Sequence, residues 1–340
     1  MTHDRQCNAQ RINFLHGLKL WACGVLALSV LPICSPQSRA AEYAFTSYPL
    51  GSLAYGAGVT PPPGTYVTDT ISYLSGSIGG DINIGGLVFT AGSKTEIFSE
   101  GVSILMVPET KVLDGHLGLL VGIPVSHVNI EARGSGPLGN TVTDSAETWG
   151  MGDTTLQLQL GWDSGDFSHT FHILGVLPTG LYKAGFYPIV GLNRPSLDIG
   201  WAFTFFDKNT KLQFNGAAGF MTSLENPDTQ YQTGNEFHGE WAIGYKFDNG
   251  LFIGVNGYDY RQITGDSGPG AYLGPFKGTL DAVGPGLSYS TLIGETPVTI
   301  GVRDYEQYNY RNAYHGNVVI ASLTGVFPAA QTLEKTSLKD

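Results

Sequence analysis

The histidines are the side chains best suited to acid–base or nucleophilic chemistry, and their positions argue against it. After residue 40 the chain contains His116, His127, His169, His172, His238 and His315, and none stands in a His-x-Ser pattern. Residues three apart on a strand point to opposite faces, so His169 and His172 are poorly placed to share a metal ion. We therefore predict no catalytic residue, no metal site and no cofactor.

The first forty residues have the pattern of an export signal. Arg11 and Lys19 supply positive charge, residues 20–33 form an apolar run, and Ser38-Arg39-Ala40 has the small-x-small order of a cleavage site. All three cysteines lie in this segment, at Cys7, Cys23 and Cys34. We predict a signal peptide over residues 1–40, whose removal would leave a chain without disulfide or thiol chemistry.

Composition favours a membrane protein. Only 14% of the residues are charged, whereas 42% are hydrophobic and 47 are glycine. Because the hydrophobic residues are evenly spread, disorder is not expected. No stretch beyond the N-terminus reaches the roughly 18 apolar residues of a helical span. The formal net charge of -11 disfavours nucleic acid as a partner, since binding to phosphates requires a basic surface.

Alternation of apolar and polar residues predicts strands. In the stretch 234–265, Trp241, Ile243 and Tyr245 share one face, and the residues between them are polar or small. A turn at Asp248-Asn249-Gly250 separates two arms. Each arm exceeds the roughly 9–11 residues that a membrane-crossing strand requires. This hairpin is typical of a transmembrane β-barrel.

The same pattern predicts twelve strands between residues 65 and 327. They cover approximately 65–75, 95–107, 113–130, 150–162, 167–178, 196–206, 211–224, 234–247, 251–265, 278–290, 297–310 and 316–327. The Gly-rich stretch 76–94 and the polar stretch 131–148 are predicted to be loops. Short turns alternate with longer loops, and an even strand number allows closure without a free edge. The expected fold class is all-β, a transmembrane antiparallel up-and-down barrel; a soluble β-sandwich is the alternative.

The segments that flank the predicted barrel, 65–327, have different compositions. Residues 41–64 are rich in Gly, Pro and Tyr, and Pro61-Pro62-Pro63 cannot lie inside a sheet. This segment is either an irregular periplasmic or plugging element or a loose tail. The last strand ends at Phe327, which resembles the signal read by the outer-membrane assembly machinery, although the tail 328–340 departs from that signal.

Polar residues on the inward parity would line the lumen. They are Gln157, Gln159, Asp198, Gln213, Asn215, Glu240 and Lys246. A barrel of about twelve strands has room for a narrow channel or a plugged lumen. These side chains would form a mildly acidic conduit or a hydrogen-bonded interior without selectivity.

Two further groups lie near the predicted outer ends of the strands. Charged residues could pair across the lumen to set a constriction, or face water at the rim: Asp259, Arg261, Arg303 and Asp304. Aromatic residues in the loops could capture flat ligands by stacking, or belong to the interfacial aromatic girdle: Tyr182, Phe186, Tyr187, Tyr272 and Phe276.

Four short motifs carry a resemblance to a known family. They are Gly150-Met151-Gly152-Asp153, Pro178-Thr179-Gly180-Leu181-Tyr182, the stretch 257–266 (GYDYRQITGD) and the stretch 284–289 (GPGLSY). Most of residues 64–327 resembles the family labelled "putative MetA-pathway of phenol degradation". The resemblance implies an outer-membrane channel encoded beside genes for degrading aromatic compounds, and passive uptake of hydrophobic or aromatic molecules.

The sequence pattern thus predicts a Gram-negative outer-membrane barrel, and the resemblance implies a channel for small hydrophobic or aromatic compounds. Its partners would be outer-membrane lipid, those solutes and, during biogenesis, the assembly machinery. One alternative is a structural or adhesive surface barrel, which long hydrophilic external loops would favour. Another is a lipid-modifying enzyme, which requires a Ser–His pair on the lipid face.

Overall fold

The strands of the protein close into a barrel. The computed structural model describes residues 42–84, 87–136, 140–272 and 274–328, so the predicted signal peptide and residues 329–340 of the predicted tail lie outside the described residues. The described strands are β1 (Gly64–Ile84), β2 (Leu87–Val107), β3 (Lys111–Val112), β4 (Gly115–Ser135), β5 (Thr141–Met151), β6 (Thr154–Ser164), β7 (Phe167–Leu177), β8 (Ser196–Phe206), β9 (Leu212–Ser223), β10 (Glu236–Lys246), β11 (Leu251–Gln262), β12 (Thr279–Ile293), β13 (Thr296–Arg311) and β14 (His315–Pro328).

Neighbouring wall strands pair antiparallel, and the first and last of them close the ring. β1 pairs with β14 from Gly64↔Pro328 to Ser77↔His315, and with β2 on its other side. One half of β4 pairs with β5 and the other half with β6, so β5 and β6 together form one strand of the wall. The short β3 only folds back on the start of β4. The wall therefore has twelve strands, and the predicted fold class is confirmed.

The two ends of the barrel differ in the length of their connections. Short connections at residues 165–166, 207–211, 247–250 and 294–295 define what we call the turn end; long connections at 178–195, 224–235 and 263–278 define the loop end. In the 247–250 turn, the Gly250 amide donates to the Phe247 carbonyl at 3.2 Å. Gly250 has φ of 88°, which glycine adopts without steric cost.

Alternate residues of each strand face outward and form an apolar band. On β8, Leu197 and Ile199 are 44% and 56% exposed, whereas Asp198 between them is fully buried. Tyr73, Phe98, His127 and Trp149 are direct neighbours across β1, β2, β4 and β5 and form an aromatic row toward the loop end. Such belts are typical of barrels that cross a membrane. Among the described residues, no helix is long and apolar enough to do so.

Three of the strands are longer than predicted, and the two predicted loops at 76–94 and 131–148 are wrong. β1, β2 and β4 have 21 residues each. β1 and β2 stay paired up to Ile84↔Leu87, and β4 and β5 up to Ser135↔Thr141. Glycine and polar residues have low strand propensity, but the ladder satisfies their backbone groups and tertiary pairing overrides propensity. Two hairpins consequently extend beyond the apolar band at the loop end.

The predicted continuous strand 150–162 is interrupted at Gly152-Asp153. β5 ends at Met151 and β6 begins at Thr154. The Gly152 amide donates to the carbonyl of Pro124 in β4 at 2.8 Å. Since Pro124 has no N–H to return to the ladder, the pairing is broken at this point. The interruption turns the Asp153 side chain away from the ladder, toward the 178–195 loop.

Candidate functional site

A single irregular segment fills the lumen. Residues 42–63, which we call the plug, begin with a short 3-10 helix, Glu42–Ala44, and run from the loop end to the turn end. At the loop end the Glu42 amide donates to Thr233 Oγ1 at 3.4 Å. At the turn end the Gly58 amide donates to Thr204 Oγ1 at 3.0 Å. Of the two structures left open for this segment, the structure shows the plugging one.

Two buried carboxylates on β10 hold the first half of the plug. Glu236 accepts hydrogen bonds from Thr46 Oγ1 at 2.9 Å and from the Tyr260 hydroxyl at 2.6 Å. Glu240 Oε2 accepts from the Leu53 amide at 2.9 Å. A hydrogen bond typically contributes about 0.5–1.5 kcal/mol net, and leaving a buried polar group unpaired costs about 1–3 kcal/mol. These contacts fix the plug to one wall of the barrel.

Two amides on the wall hold the second half. Asn256 Oδ1 accepts from the Tyr55 hydroxyl at 2.8 Å, and Asn215 Oδ1 accepts from the Gly56 amide at 2.9 Å. Gly286 on β12 leaves the space for this contact, because a Cβ there would overlap both the Tyr55 hydroxyl and Asn256. Gly286, the second glycine of the 284–289 motif, is therefore a contact site for the plug.

Two arginines bind carbonyl oxygens of the plug. Arg303 Nη1 donates to the Ser52 carbonyl at 3.0 Å, and Arg194 Nη2 donates to the Phe45 carbonyl at 2.6 Å. Arg194 is fully buried, and its Nη1 lies 3.9 Å from Glu42 Oε2. Because side chains of the wall, among them Arg194, Arg303 and Glu240, bind main-chain atoms of the plug, the plug is held by side chains rather than by a strand ladder.

A carboxylate bridges two imidazoles in the middle of the lumen. Asp198 Oδ1 lies 3.1 Å from His172 Nε2, and its Oδ2 lies 2.8 Å from His238 Nε2; all three side chains are buried. The two histidines stand in one cross-strand row with Gly200 and Gly219 between them. A Cβ at either glycine would overlap an imidazole, so the glycines let both rings reach Asp198.

Tyr48 of the plug packs directly against this network. Its ring stacks on His238 with centroids 3.5 Å apart. Leu174, Val176 and Met221 surround it in a buried apolar cluster. Its hydroxyl lies beside Glu240. The plug thus places one aromatic ring in a closed pocket of the wall.

A second polar cluster closes the loop end. Glu42 accepts from Asn226 Nδ2 at 2.8 Å and from Thr229 Oγ1 at 2.7 Å. Asp266 accepts from the Tyr231 hydroxyl at 2.6 Å and from the Gly234 amide at 3.1 Å. Burial raises the pKa of both carboxyl groups above the ordinary range, although these hydrogen bonds and the charge of Arg194 oppose the shift. We call this cluster the outer latch.

The 178–195 loop is fastened at its base by Asp153. Asp153 Oδ1 accepts from the Gly180 amide at 2.9 Å, and Oδ2 accepts from the Leu192 amide at 2.8 Å. The Leu181 amide also donates to the Met151 carbonyl at 2.7 Å. The motifs at 150–153 and 178–182, distant in sequence, therefore form one clasp that holds the loop over the barrel mouth.

The candidate lumen residues all take the inward parity, and most of them contact the plug or its anchors. Gln159 Nε2 donates to Thr60 Oγ1 at 3.1 Å. Gln157 and Gln213 donate to the neighbouring Gln159 and Asn215 at 2.7 and 2.9 Å. Asp198, Asn215 and Glu240 are described above. Lys246 lies apart at the turn end, with its Nζ 5.4 Å from the Phe206 ring centroid.

Of the two roles left open for the charged residues, pairing across the lumen is not seen in the part of the chain that the structure describes. Asp259 and Arg261 lie on the outward parity of β11, 2.6 Å apart, and Arg261 also pairs with Asp281 at 2.6 Å. Asp304 likewise faces outward and accepts from Asn317 at 2.7 Å. Only Arg303 faces inward, where it binds the plug. The alternation that begins at the centre of each strand continues to its end, which puts these charges on the outer surface.

The five candidate aromatic residues do not converge on one capture site. Tyr182 accepts a hydrogen bond from Asn226 at 3.1 Å, and the Tyr187 hydroxyl lies 2.7 Å from that of Tyr314. Phe186 and Tyr272 are 57% and 77% exposed, and Phe186 lies under Lys183 Nζ at 3.8 Å. Phe276 is half-buried in the 263–278 loop.

Several residues of the site were not predicted from sequence. Tyr48 and Tyr55 lie in the segment without strand pattern, and Glu236, Asn256 and Arg194 were not selected as candidates. One signal existed for β10: Glu236, His238 and Glu240 are three ionisable residues in succession on its inward face. Three such groups in a row require partners inside a barrel, because burial of unpaired charge is costly.

Comparisons with known proteins agree with this architecture. The model of the family described as "Putative MetA-pathway of phenol degradation" matches residues 76–309. No curated protein matches the chain. The structure is similar to the COG4313 outer membrane channel from Pseudomonas putida F1, with a TM-score of 0.55 and 14% identity over 80% of this chain and 98% of that chain.

Two other outer-membrane barrels are more distant. A FadL homologue from Pseudomonas aeruginosa has a TM-score of 0.36 and 8% identity, over 78% of this chain and 90% of that chain. The transport unit of the autotransporter AIDA-I from Escherichia coli has a TM-score of 0.37 and 11% identity, with the same 78% and 90% coverage. The family match, the twelve-stranded barrel and the apolar outer band place the protein in the outer membrane.

Proposed function

This chain belongs to the family described as "Putative MetA-pathway of phenol degradation", and we propose that it is an outer-membrane channel through which small hydrophobic or aromatic compounds diffuse passively. The observation that carries the proposal is the plug. It fills a closed barrel, yet side chains rather than ladder hydrogen bonds hold it. Displacing it would open the lumen without breaking the wall.

The lining of the lumen suits permeants that are apolar and flat. Beside the polar contacts to the plug, Leu174, Val176 and Met221 form one buried apolar patch, and Tyr258 and Tyr305 form an aromatic one with ring centroids 5.0 Å apart. Barrels of about eight strands are filled by side chains and those of 16–18 strands hold wide pores. A twelve-stranded barrel without its plug would offer a narrow, partly aromatic conduit, and we propose no catalytic role.

The test is to lock the plug covalently. The Ser47 hydroxyl in the plug lies 3.0 Å from the Ser196 hydroxyl in β8, so a Ser47→Cys/Ser196→Cys pair is within reach of a disulfide. The predicted mature chain contains no other cysteine. In planar bilayers and proteoliposomes we expect the oxidised protein to lose channel openings and uptake of toluene or phenol, and reduction to restore both.

The control is a second engineered disulfide that joins two strands of the barrel wall. The Ser290 and Thr299 hydroxyls lie 2.9 Å apart on β12 and β13, away from the plug. A Ser290→Cys/Thr299→Cys disulfide should leave conductance and uptake unchanged. If uptake is equal in the oxidised and reduced states of the plug lock, the lumen is not the route and the proposal fails.

The two hairpins that extend beyond the apolar band favour a second candidate, a structural or adhesive surface barrel. β1, β2 and β4 are each 21 residues long, about twice the span of the membrane. For such a protein the lumen would be only a core. An inserted protein that is silent and impermeable in every redox state would support this second candidate.

A further inference from the structure

The Tyr48 side chain of the plug occupies an enclosed pocket in the barrel wall. It is 4% exposed, stacks on His238 and packs on Leu174, Val176 and Met221. The group that fills this pocket is the side chain of Tyr48, which is a phenol ring joined to the backbone through a methylene group. The wall residues around it belong to β7, β9 and β10 and remain in place if the plug leaves.

The polar groups of this pocket are the imidazole of His238 and the carboxyl group of Glu240. Asp198 Oδ2 lies 2.8 Å from Nε2 of His238 and holds the imidazole ring against Tyr48. The Tyr48 hydroxyl lies beside the buried carboxyl group of Glu240, within reach of a hydrogen bond to it. If Tyr48 leaves the pocket, this buried carboxyl group loses a partner, and a hydroxyl or amino group on another ring can replace it. The pocket therefore fits an aromatic ring that carries a hydroxyl or amino donor, and it disfavours a carboxylate.

We propose that this pocket is a binding site for arenes bearing a hydrogen-bond donor, and that Tyr48 occupies it as an internal surrogate. A free arene with a hydroxyl group can occupy the same space and bind Glu240 as the Tyr48 hydroxyl does, without being tethered to the plug. When it takes the pocket, the plug loses its aromatic anchor and its displacement becomes easier. The site thus links recognition of the permeant to opening, and in this respect it rests on the proposed channel function.

The first test removes the Tyr48 side chain and supplies the same chemical group as a free molecule. Tyr48→Ala empties the pocket, and p-cresol is the tyrosine side chain without its backbone. We expect p-cresol to bind the variant and raise its thermal midpoint. Toluene lacks the donor and p-toluate carries an anion instead, so both should bind at least about tenfold more weakly, the equivalent of one hydrogen bond to a charged group. Tyr66→Ala is the control, because Tyr66 bonds to Pro62 at an exposed position and should gain no p-cresol site.

The second test keeps Tyr48 and so does not depend on the folding of that variant. Ala54 of the plug is 3% exposed, and Ala54→Cys would report on displacement through its reaction with a water-soluble maleimide. We expect p-cresol to raise the labelling rate several-fold, and Glu240→Gln to remove most of that gain. Equal effects of toluene and p-cresol, or a labelling rate that p-cresol leaves unchanged, would overturn the assignment.

The two proposals can fail separately. If p-cresol binds Tyr48→Ala selectively but neither redox state of the plug lock transports solute, the site stands and the channel does not. If solutes are transported and p-cresol shows no preference over toluene, the channel stands and the site does not.

Discussion

At the scale of single residues, Asp198 is the most constrained position of the lumen. One carboxylate binds an imidazole nitrogen of each of two histidines, and all three groups are removed from water. Loss of one member of a buried network leaves the others unsatisfied, which costs more than the pair itself contributes. The network also orients His238 against Tyr48, so its integrity bears on the pocket as well as on stability.

We predict that Asp198→Ala destabilises the barrel by about 3 kcal/mol, because two imidazoles lose a charged acceptor. Asp198→Asn should cost less, since an amide can accept from one histidine and donate to the other. The measurement is urea unfolding in lipid vesicles. Asp163→Ala, at an exposed position on β6, should change little. Equal stabilities of the Asp198 and Asp163 variants would contradict the prediction.

The outer latch gives a pH dependence of defined sign. Burial is the largest cause of the raised pKa of Glu42, the charge of Asp228 adds to it, and Arg194, Thr229 and Asn226 oppose it. A carboxyl group with a raised pKa binds its proton more tightly in the folded state. Its contribution to stability is therefore complete below the unfolded pKa of about 4.5 and is lost as pH rises through the folded pKa.

We predict that Glu42→Gln reduces the fall in thermal midpoint as pH rises from about 4 to about 8. At each pH the thermal midpoint of the wild type is subtracted from that of Glu42→Gln. This difference should become more positive as the pH rises. Asp266 keeps its own dependence, so the fall is reduced rather than abolished. Glu295→Gln, in an exposed turn, serves as control. A difference that stays constant with pH would contradict this account of the latch.

At the scale of elements, the plug and the 178–195 loop are held without a strand ladder. The plug is fixed by side chains on β6 to β13 and by the outer latch, and the loop is fixed by the Asp153 clasp. An element held by side chains can open while the ladders remain intact, since local openings cost less than global unfolding. Glycines at the contact points, such as Gly286, set how closely the plug approaches the wall.

We predict that Gly286→Ala loosens the plug, because the added Cβ would overlap the Tyr55 hydroxyl and displace it. Planar bilayers should show openings several-fold more often than with the wild type, while the protein still inserts. Gly325→Ala is the matched control, since a Cβ there meets no atom within 4 Å. If the two variants open equally often, Tyr55 does not restrain the plug.

At the scale of the whole molecule, the alternation of apolar and polar residues along each strand assigns wall residues to the outer or the inner face of the barrel. Twelve strands, their order and their faces follow from period-two patterning, and the structure confirms the barrel. The same rule places Asp259, Arg261 and Asp304 on the outer surface, where the across-lumen pairing expected from their position along the strand is impossible. Parity is thus a better guide to the role of a residue than its nearness to a strand end.

We predict that the reactivity of single cysteines on β6 depends on the face of the strand that carries them. Cysteine at Leu158, which is 44% exposed on the outside, should react with a lipid-phase reagent. Cysteine at Gln157 should react with a water-soluble one. Cysteine at Gln159, beneath Thr60, should react from water only after the plug is displaced. Equal labelling of positions 157 and 158 from water would mean that the register is wrong.

A local sequence pattern predicts only those features that depend on residues close to one another in the chain. Alternation determined the strands, their faces and most turns of this protein, because a strand with one apolar and one polar face has a single way to lie between lipid and lumen. It failed for residues 76–94 and 131–148, whose pairing depends on a partner strand rather than on their own propensity. For residues 42–63, which lack periodicity, it left the location open.

The tertiary structure alone decided the site. His172, Asp198 and His238 lie on three strands, and only the cross-strand register, with glycines between the two histidines, brings them together. Tyr48 reaches them because the chain before β1 passes back through the barrel. These contacts follow from the register between neighbouring strands and from the return of the plug through the lumen, neither of which a local pattern encodes.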